Sequence, residues 1–164
     1  GMEQSSDDDF NWELNDGDKN RRNFADTGGA ANEDYMFIES STSRYPQNSG
    51  DKATISTSVI QAELGKDVGL SFKYFLYGAD TGTLLVEIQD ADKLEPPIEV
   101  FTISGEQQKR GDPWTTITLG LPSRLQDKPY RVMFTADILP DREYVYKGDI
   151  SVTDIRVGQF TAGE

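Results

Sequence analysis

The stretch that decides the fold is Leu70-Ser71-Phe72-Lys73-Tyr74-Phe75-Leu76-Tyr77-Gly78-Ala79-Asp80-Thr81-Gly82-Thr83-Leu84-Leu85-Val86-Glu87-Ile88-Gln89. Leu70, Phe72, Tyr74 and Leu76 recur at every second position with Ser71 and Lys73 between them, and alternate residues share one face of a β-strand. Gly78 to Gly82 is a turn signal. Beyond it Leu84, Val86 and Ile88 are expected inward, with Glu87 and Gln89 outward, until Asp90 to Pro97 breaks the alternation. The pair reads as a β-hairpin.

Outward from this centre, short segments rich in aromatic and β-branched residues recur between Gly, Pro, Asn and Asp clusters. Strands are predicted at Tyr35 to Ser40, Ala53 to Val59, Ile98 to Ser104, Trp114 to Leu121, Pro129 to Ile138 and Asp149 to Gly158, and no helix of ordinary length is visible. Eight or more strands require two stacked sheets, so the fold class is all-β, a two-layer antiparallel β-sandwich. In the last strand Ile150 and Val152 lie on one phase, Ile155 and Val157 on the other. A β-bulge around Thr153 and Asp154 would bring both pairs back to the same side.

The chain has 164 residues, of which 35% are hydrophobic, enough for one packed domain and too many for a disordered one. Residues 1 to 9 end in an acidic run that buries no apolar area, so they are expected to form a flexible arm, with Gly1-Met2 read as a tag remnant. The single domain is placed at residues 10 to 160, with a tail at 161 to 164. No apolar run is long enough for a membrane-spanning helix, so no membrane insertion is expected.

The net charge of −13, from 29 acidic and 16 basic residues, opposes binding to phosphate backbones, so nucleic acid is not an expected partner. With no His and no Cys, the chain lacks the usual general base, thiolate nucleophiles, disulfides and thiolate metal sites. The acidic pairs Glu87 with Asp90 and Glu95 with Glu99 could imitate a glycosidase dyad only if both carboxyls faced one cleft. Charges on the outer face of an antiparallel sheet are ordinary, and no enzyme activity is expected. Arg110-Gly111-Asp112 reads as a Gly-based turn before Trp114, with display to an integrin as the competing reading.

In chain order, Asp8-Asp9-Phe10-Asn11-Trp12, Tyr35-Met36-Phe37-Ile38-Glu39-Ser40-Ser41, Leu70 to Gly78, Gly82 to Val86, Trp114, Tyr130 to Phe134 and Gly148-Asp149-Ile150-Ser151-Val152-Thr153-Asp154-Ile155 resemble the MAM modules of meprins, neuropilins and receptor-type tyrosine phosphatases. The resemblance covers nearly the whole chain. It implies a concanavalin-like jelly roll on an extracellular or cell-surface protein, serving recognition or adhesion through a protein partner or self-association. The alternative is a carbohydrate-binding jelly roll with a glycan as ligand, for which Trp12 and Trp114 would be stacking platforms. Both tryptophans align better with core positions, with half exposure of one or both as the competing reading.

The chain departs from the family pattern in two ways. It has no cysteines, Gly69 standing where such domains commonly place one, and no opening strand is legible ahead of Trp12. The resemblance also points to a structural Ca²⁺ or Na⁺ held by Asp149 and Asp154, with Glu39 and Asp9 as further contributors, since hard cations take oxygen ligands from separate segments. Against this stands a simpler reading, in which Asp149 caps a turn and Asp154 pairs with Arg156 or Arg131.

Overall fold

The computed structural model describes residues 2–4, 13–15, 35–39, 52–61, 68–78, 81–93, 95–109, 112–121, 128–137 and 149–158, with backbone alone for those up to 39 and for 149 and 158. Ten strands are described: β1 (Met2–Gln4), β2 (Glu13–Asn15), β3 (Tyr35–Glu39), β4 (Lys52–Thr57), β5 (Gly69–Tyr77), β6 (Thr83–Asp90), β7 (Ile98–Ser104), β8 (Thr115–Gly120), β9 (Tyr130–Asp137) and β10 (Asp149–Gly158). They form two five-stranded antiparallel sheets, ordered β1-β4-β9-β6-β7 and β2-β3-β10-β5-β8. This is the all-β, two-layer antiparallel sandwich that the alternation implied, in keeping with the jelly roll that the resemblance implied.

Alternation places the core. Leu70, Phe72, Tyr74 and Leu76 of β5 meet Leu84, Val86 and Ile88 of β6 and Val132, Phe134 and Ala136 of β9 in one buried cluster. Phe72 is the bridge between layers, its ring edge-on to Phe134 at 5.3 Å and to Phe101 at 5.6 Å. Such pairs add about 0.5–1.5 kcal/mol each beyond the area they bury. No disulfide staples the sandwich, so packing and the strand ladders hold its described part. Gly69, in the position read as a replaced cysteine, lies between Gly158 and Gly120 in register.

Two expectations are corrected. Residues 70 to 89 do form two strands, but not a hairpin: β5 pairs with β8 and β10, whereas β6 pairs with β7 and β9. The turn between them carries the chain from one sheet to the other. Gly78 enters it at φ 111, a conformation open to glycine, and Thr81 Oγ1 donates within reach of both Tyr77 O and Gly78 O. Alternation fixes which face is buried; it does not say whether the next strand lies beside the first or across the core from it.

The second correction concerns the amino-terminal arm. Met2–Gln4 is not a free tail but the edge strand β1, registered antiparallel on β4 with Met2 opposite Thr57. This also supplies the opening strand that was not legible ahead of Trp12. An edge strand can be held by backbone ladder bonds, so a polar sequence does not exclude one.

The bulge in β10 is present. Thr153 lies opposite Lys73 and Arg156 opposite Ser71, so Asp154 and Ile155 together face one residue, Phe72. Asp154 takes φ 51, the left-handed conformation of the first residue of such a bulge. The extra residue restores the phase: Ile150 and Val152 are in the core and Ile155 and Val157 pack against it.

Candidate functional site

Three surfaces of the sandwich bear on function. The first is the carboxylate end of β10. Asp149 begins the strand and lies between Glu39 of β3 and Tyr77 of β5 in register. Asp154 lies five residues further along, roughly 16 Å away at extended rise. Ligand oxygens on one Ca²⁺ sit at about 2.3–2.6 Å from the ion, so these two aspartates do not share a site. Asp154 is instead engaged by cations: Arg156 Nε donates to its Oδ1 at 2.8 Å, and Lys73 Nζ stands 3.8 Å from its Oδ2. The structure thus brings Asp149 and Glu39 together by register and separates Asp154 from them; Asp9 lies outside the described residues. Among the described residues no group of three or more acidic side chains converges.

The second surface is the outer face of the β2-β3-β10-β5-β8 sheet, where Phe75 points away from the core yet is fully buried. Trp114 covers it with ring centroids 5.6 Å apart, and Tyr77 flanks it at 6.5 Å. Trp114 is therefore a half-buried lid on this face, which is the competing reading of its position and not the favoured core one. Trp12 lies outside the described residues.

Beside this cluster β8 begins at Thr115, opposite Tyr74, so no described strand lies beside the last residues of β5 on that side. Gln108 takes its place. Its Oε1 accepts the Leu76 N–H at 2.7 Å, and its Nε2 donates to Tyr74 O at 3.0 Å and Thr115 Oγ1 at 2.9 Å. Glu106 Oε2 accepts the Gly78 N–H at 2.7 Å while Oε1 pairs with Lys109. The bond to Lys109 holds the Glu106 carboxyl below its ordinary pKa and raises that of Lys109. Asp112 folds back, its Oδ2 accepting the Lys109 N–H at 2.8 Å, as a turn residue does. Arg110 and Gly111 lie outside the described residues.

The third surface is the outer face of the β1-β4-β9-β6-β7 sheet. Register aligns Ser56, Met133, Glu87 and Glu99 in one row, Thr54, Thr135, Leu85 and Thr102 in the next, and Lys52, Asp137, Thr83 and Ser104 in a third. Hydroxyl pairs tie the strands together, Thr54 to Thr135 at 2.9 Å and Thr83 to Ser104 at 2.7 Å. Burial, reinforced by the Glu99 charge and partly offset by Lys52, pushes the Glu87 carboxyl up. Burial likewise raises Asp137, against the pull of Lys52 at 3.9 Å.

This register regroups the acidic pairs suggested by sequence spacing. Glu87 faces Glu99 across the ladder, not Asp90, which is buried and accepts from Gln89 Nε2 at 2.9 Å and from the Glu95 N–H at 3.3 Å. Asp90 builds the turn to β7, and Glu95 is an exposed member of that turn. Neither suggested dyad is formed. The Glu87–Glu99 pair escaped the sequence because only cross-strand register creates it, displaced where the ladder passes over Val100 of β7 between the Val86–Phe101 and Glu87–Glu99 pairs.

Comparison with known proteins agrees with this architecture. The fold is shared with the K1 cleaved adhesin domain of Lys-gingipain from Porphyromonas gingivalis W83, at TM-score 0.60, 10% identity and coverage of 98% of this chain and 90% of that one. It is also shared with TmCBM61, solved in complex with β-1,4-galactotriose, at TM-score 0.56, 5% identity and coverage of 98% and 88%. A curated relative, MAM domain-containing glycosylphosphatidylinositol anchor protein 1 of Gallus gallus, is 27% identical over 164 residues, covering 94% of this chain. The chain spans 16% of the length of that relative. The family profile "MAM domain, meprin/A5/mu" matches residues 1–161, so the chain belongs to the MAM domain family.

Proposed function

We propose that the chain is a non-catalytic recognition module of an extracellular or cell-surface protein, and that its ligand is a protein surface. Family membership supports a binding role, and the anchored cell-surface relative supports the location. The observation that carries the choice of ligand is the placement of the rings. Every described aromatic side chain is buried or half-buried, and the outer face built by β4, β9, β6 and β7 presents hydroxyls, carboxylates, Leu85 and Met133 with no aromatic among the described residues. Sugar-binding faces rest on exposed rings that stack on pyranoses, whereas a mixed polar face with a small apolar centre matches an ordinary protein interface.

A second reading, carbohydrate binding, draws on the fold shared with TmCBM61 and on the partial exposure of Trp114 and Tyr77. Labelled domain applied to cells and to a glycan array separates the two. Cell binding lost after mild surface proteolysis, with a blank array, is the expected result. Array hits abolished by Trp114→Ala would overturn it in favour of sugar.

A cation at the Asp149–Glu39 end of β10 belongs to the same proposal. Asp149 and Glu39 stand opposite each other in register, and their residue types are those that would supply hard oxygen ligands to a bound Ca²⁺ or Na⁺.

A further inference from the structure

The outer face of the β1-β4-β9-β6-β7 sheet divides by charge across its strands. Its cations among the described side chains stand on the β4 and β9 side, and each is turned to a neighbour there: Lys52 Nζ lies 3.9 Å from Asp137 Oδ2, and Arg131 Nη1 donates to Thr57 O at 3.3 Å. The β6 and β7 side carries Glu87 and Glu99, opposed in register. Neither of these carboxylates has a hydrogen bond or a cation within ion-pair reach among the described residues. Burial and the Glu99 charge both push the Glu87 carboxyl up, as an uncompensated like-charge pair requires. Like charges directly opposite on neighbouring strands cost stability, and broken local rules of this kind collect at functional sites.

The hydroxyls of this face do not make up the deficit, since Thr54 is bonded to Thr135 and Thr83 to Ser104. What the face offers a partner is an apolar centre with an acidic flank. Leu85 and Met133 are half-buried, and both are neighbours of Glu87. Met133 faces Glu87 across the ladder, and Leu85 lies two residues along β6, roughly 7 Å away at extended rise.

We propose that this face docks a basic protein segment, one that seats a Lys or Arg between Glu87 and Glu99 and lays an apolar side chain on Leu85 and Met133. The proposal rests on the reading of the chain as a protein-binding module and names the chemistry of the partner. Three observations favour a basic occupant. A cation between the two carboxylates relieves their repulsion and meets two opposite charges at once. The separation of about 7 Å between the acidic flank and the apolar centre matches residues i and i+2 of a strand or i and i+4 of a helix, so one short segment reaches both. The net charge of −13 draws a basic partner toward the face from a distance and repels acidic ones, a second copy of the chain included.

Panning a random-peptide library on the immobilised chain tests it, with the selected peptides then synthesised and titrated against the wild type, Glu87→Gln, Glu99→Gln, Leu85→Thr and Asp92→Asn. Asp92 is exposed in the turn after β6, so its variant removes one negative charge away from the face. Selected peptides are expected to carry Lys or Arg two or four positions from an apolar residue and to bind less tightly as salt rises. Glu87→Gln, Glu99→Gln and Leu85→Thr are each expected to weaken binding at least about tenfold, and Asp92→Asn to leave it within about twofold. A cooperative melting transition in each variant verifies that it folds. Weakening by Asp92→Asn equal to that by Glu87→Gln overturns the proposal, because it marks attraction to net charge alone. Selection of peptides without Lys or Arg overturns it as well; if those peptides are lost in Leu85→Thr, protein recognition at this face stands and only the basic partner falls. Failure to select any peptide also overturns it, and joined to hits on a glycan array it overturns the protein-ligand reading too.

Discussion

Gln108 and Leu76 are joined as two strands would be joined: the side-chain amide of Gln108 accepts the Leu76 N–H at 2.7 Å, and the Gln107 and Gln108 N–H groups both donate to Leu76 O at 3.0 Å. A side chain thus completes a sheet edge that β8 does not reach. Gln108→Ala leaves the Leu76 N–H buried without its acceptor, so a loss of about 1–3 kcal/mol is expected in urea unfolding. Gln107→Ala, at an exposed side chain, should change stability by less than about 0.5 kcal/mol.

The bulge at Asp154 separates backbone strain from charge. Its left-handed φ of 51 disfavours ordinary side chains, whereas its ion pairs with Arg156 and Lys73 are exposed and worth little. Asp154→Gly is therefore expected to match the wild type within about 1 kcal/mol, and Asp154→Val to lose more than Asp154→Asn. Thermal melting of the three variants checks the order; equal losses in all three would mean that charge alone matters here.

Glu87 makes stability depend on pH. Burial first and Glu99 second raise its carboxyl, so the folded chain holds this proton more tightly than the unfolded one. Its favourable contribution is complete below the unfolded value of about 4.3 and is lost as pH rises through the raised folded value. Glu87→Gln is expected to melt higher than the wild type at pH 7, by no more than the ~1 kcal/mol scale of a cross-strand pair, and to lose that advantage near pH 4. A constant difference at both pH values would remove the titration from the account.

Calcium is expected to distinguish the two aspartates of β10. Millimolar calcium is expected to raise the melting temperature relative to chelator, because a ligand bound only by the folded state stabilises it. Asp149→Asn should abolish the shift, and Asp154→Asn should retain it. An unchanged wild-type midpoint would dismiss a cation at this end of the sheet.

The legible features were local ones. Two-residue alternation marked Leu70 to Leu76 and Leu84 to Ile88 as half-buried strands, and broken parity between Val152 and Ile155 disclosed the bulge, because both follow from side chains pointing to opposite faces in turn. For Trp114 the half-exposed reading holds over the favoured core one, because Phe75 supplies an apolar seat on the outer side that alternation does not disclose. Met2–Gln4 was missed because a strand held by its ladder needs no apolar side chains.

By itself, the sequence determined the fold class, the inward faces of the strands, the exclusion of His and Cys chemistry and, through its ordered motifs, the family. Which strand lies beside which was decided only by the tertiary structure. The turn after Tyr77 leads β6 across the core instead of back along β5, and Glu87 meets Glu99 instead of Asp90. The physical reason is that a side chain's inward or outward direction is set by its own backbone, whereas pairing is set by ladder bonds between segments far apart in the chain. Those bonds leave no periodic trace in the residues that make them.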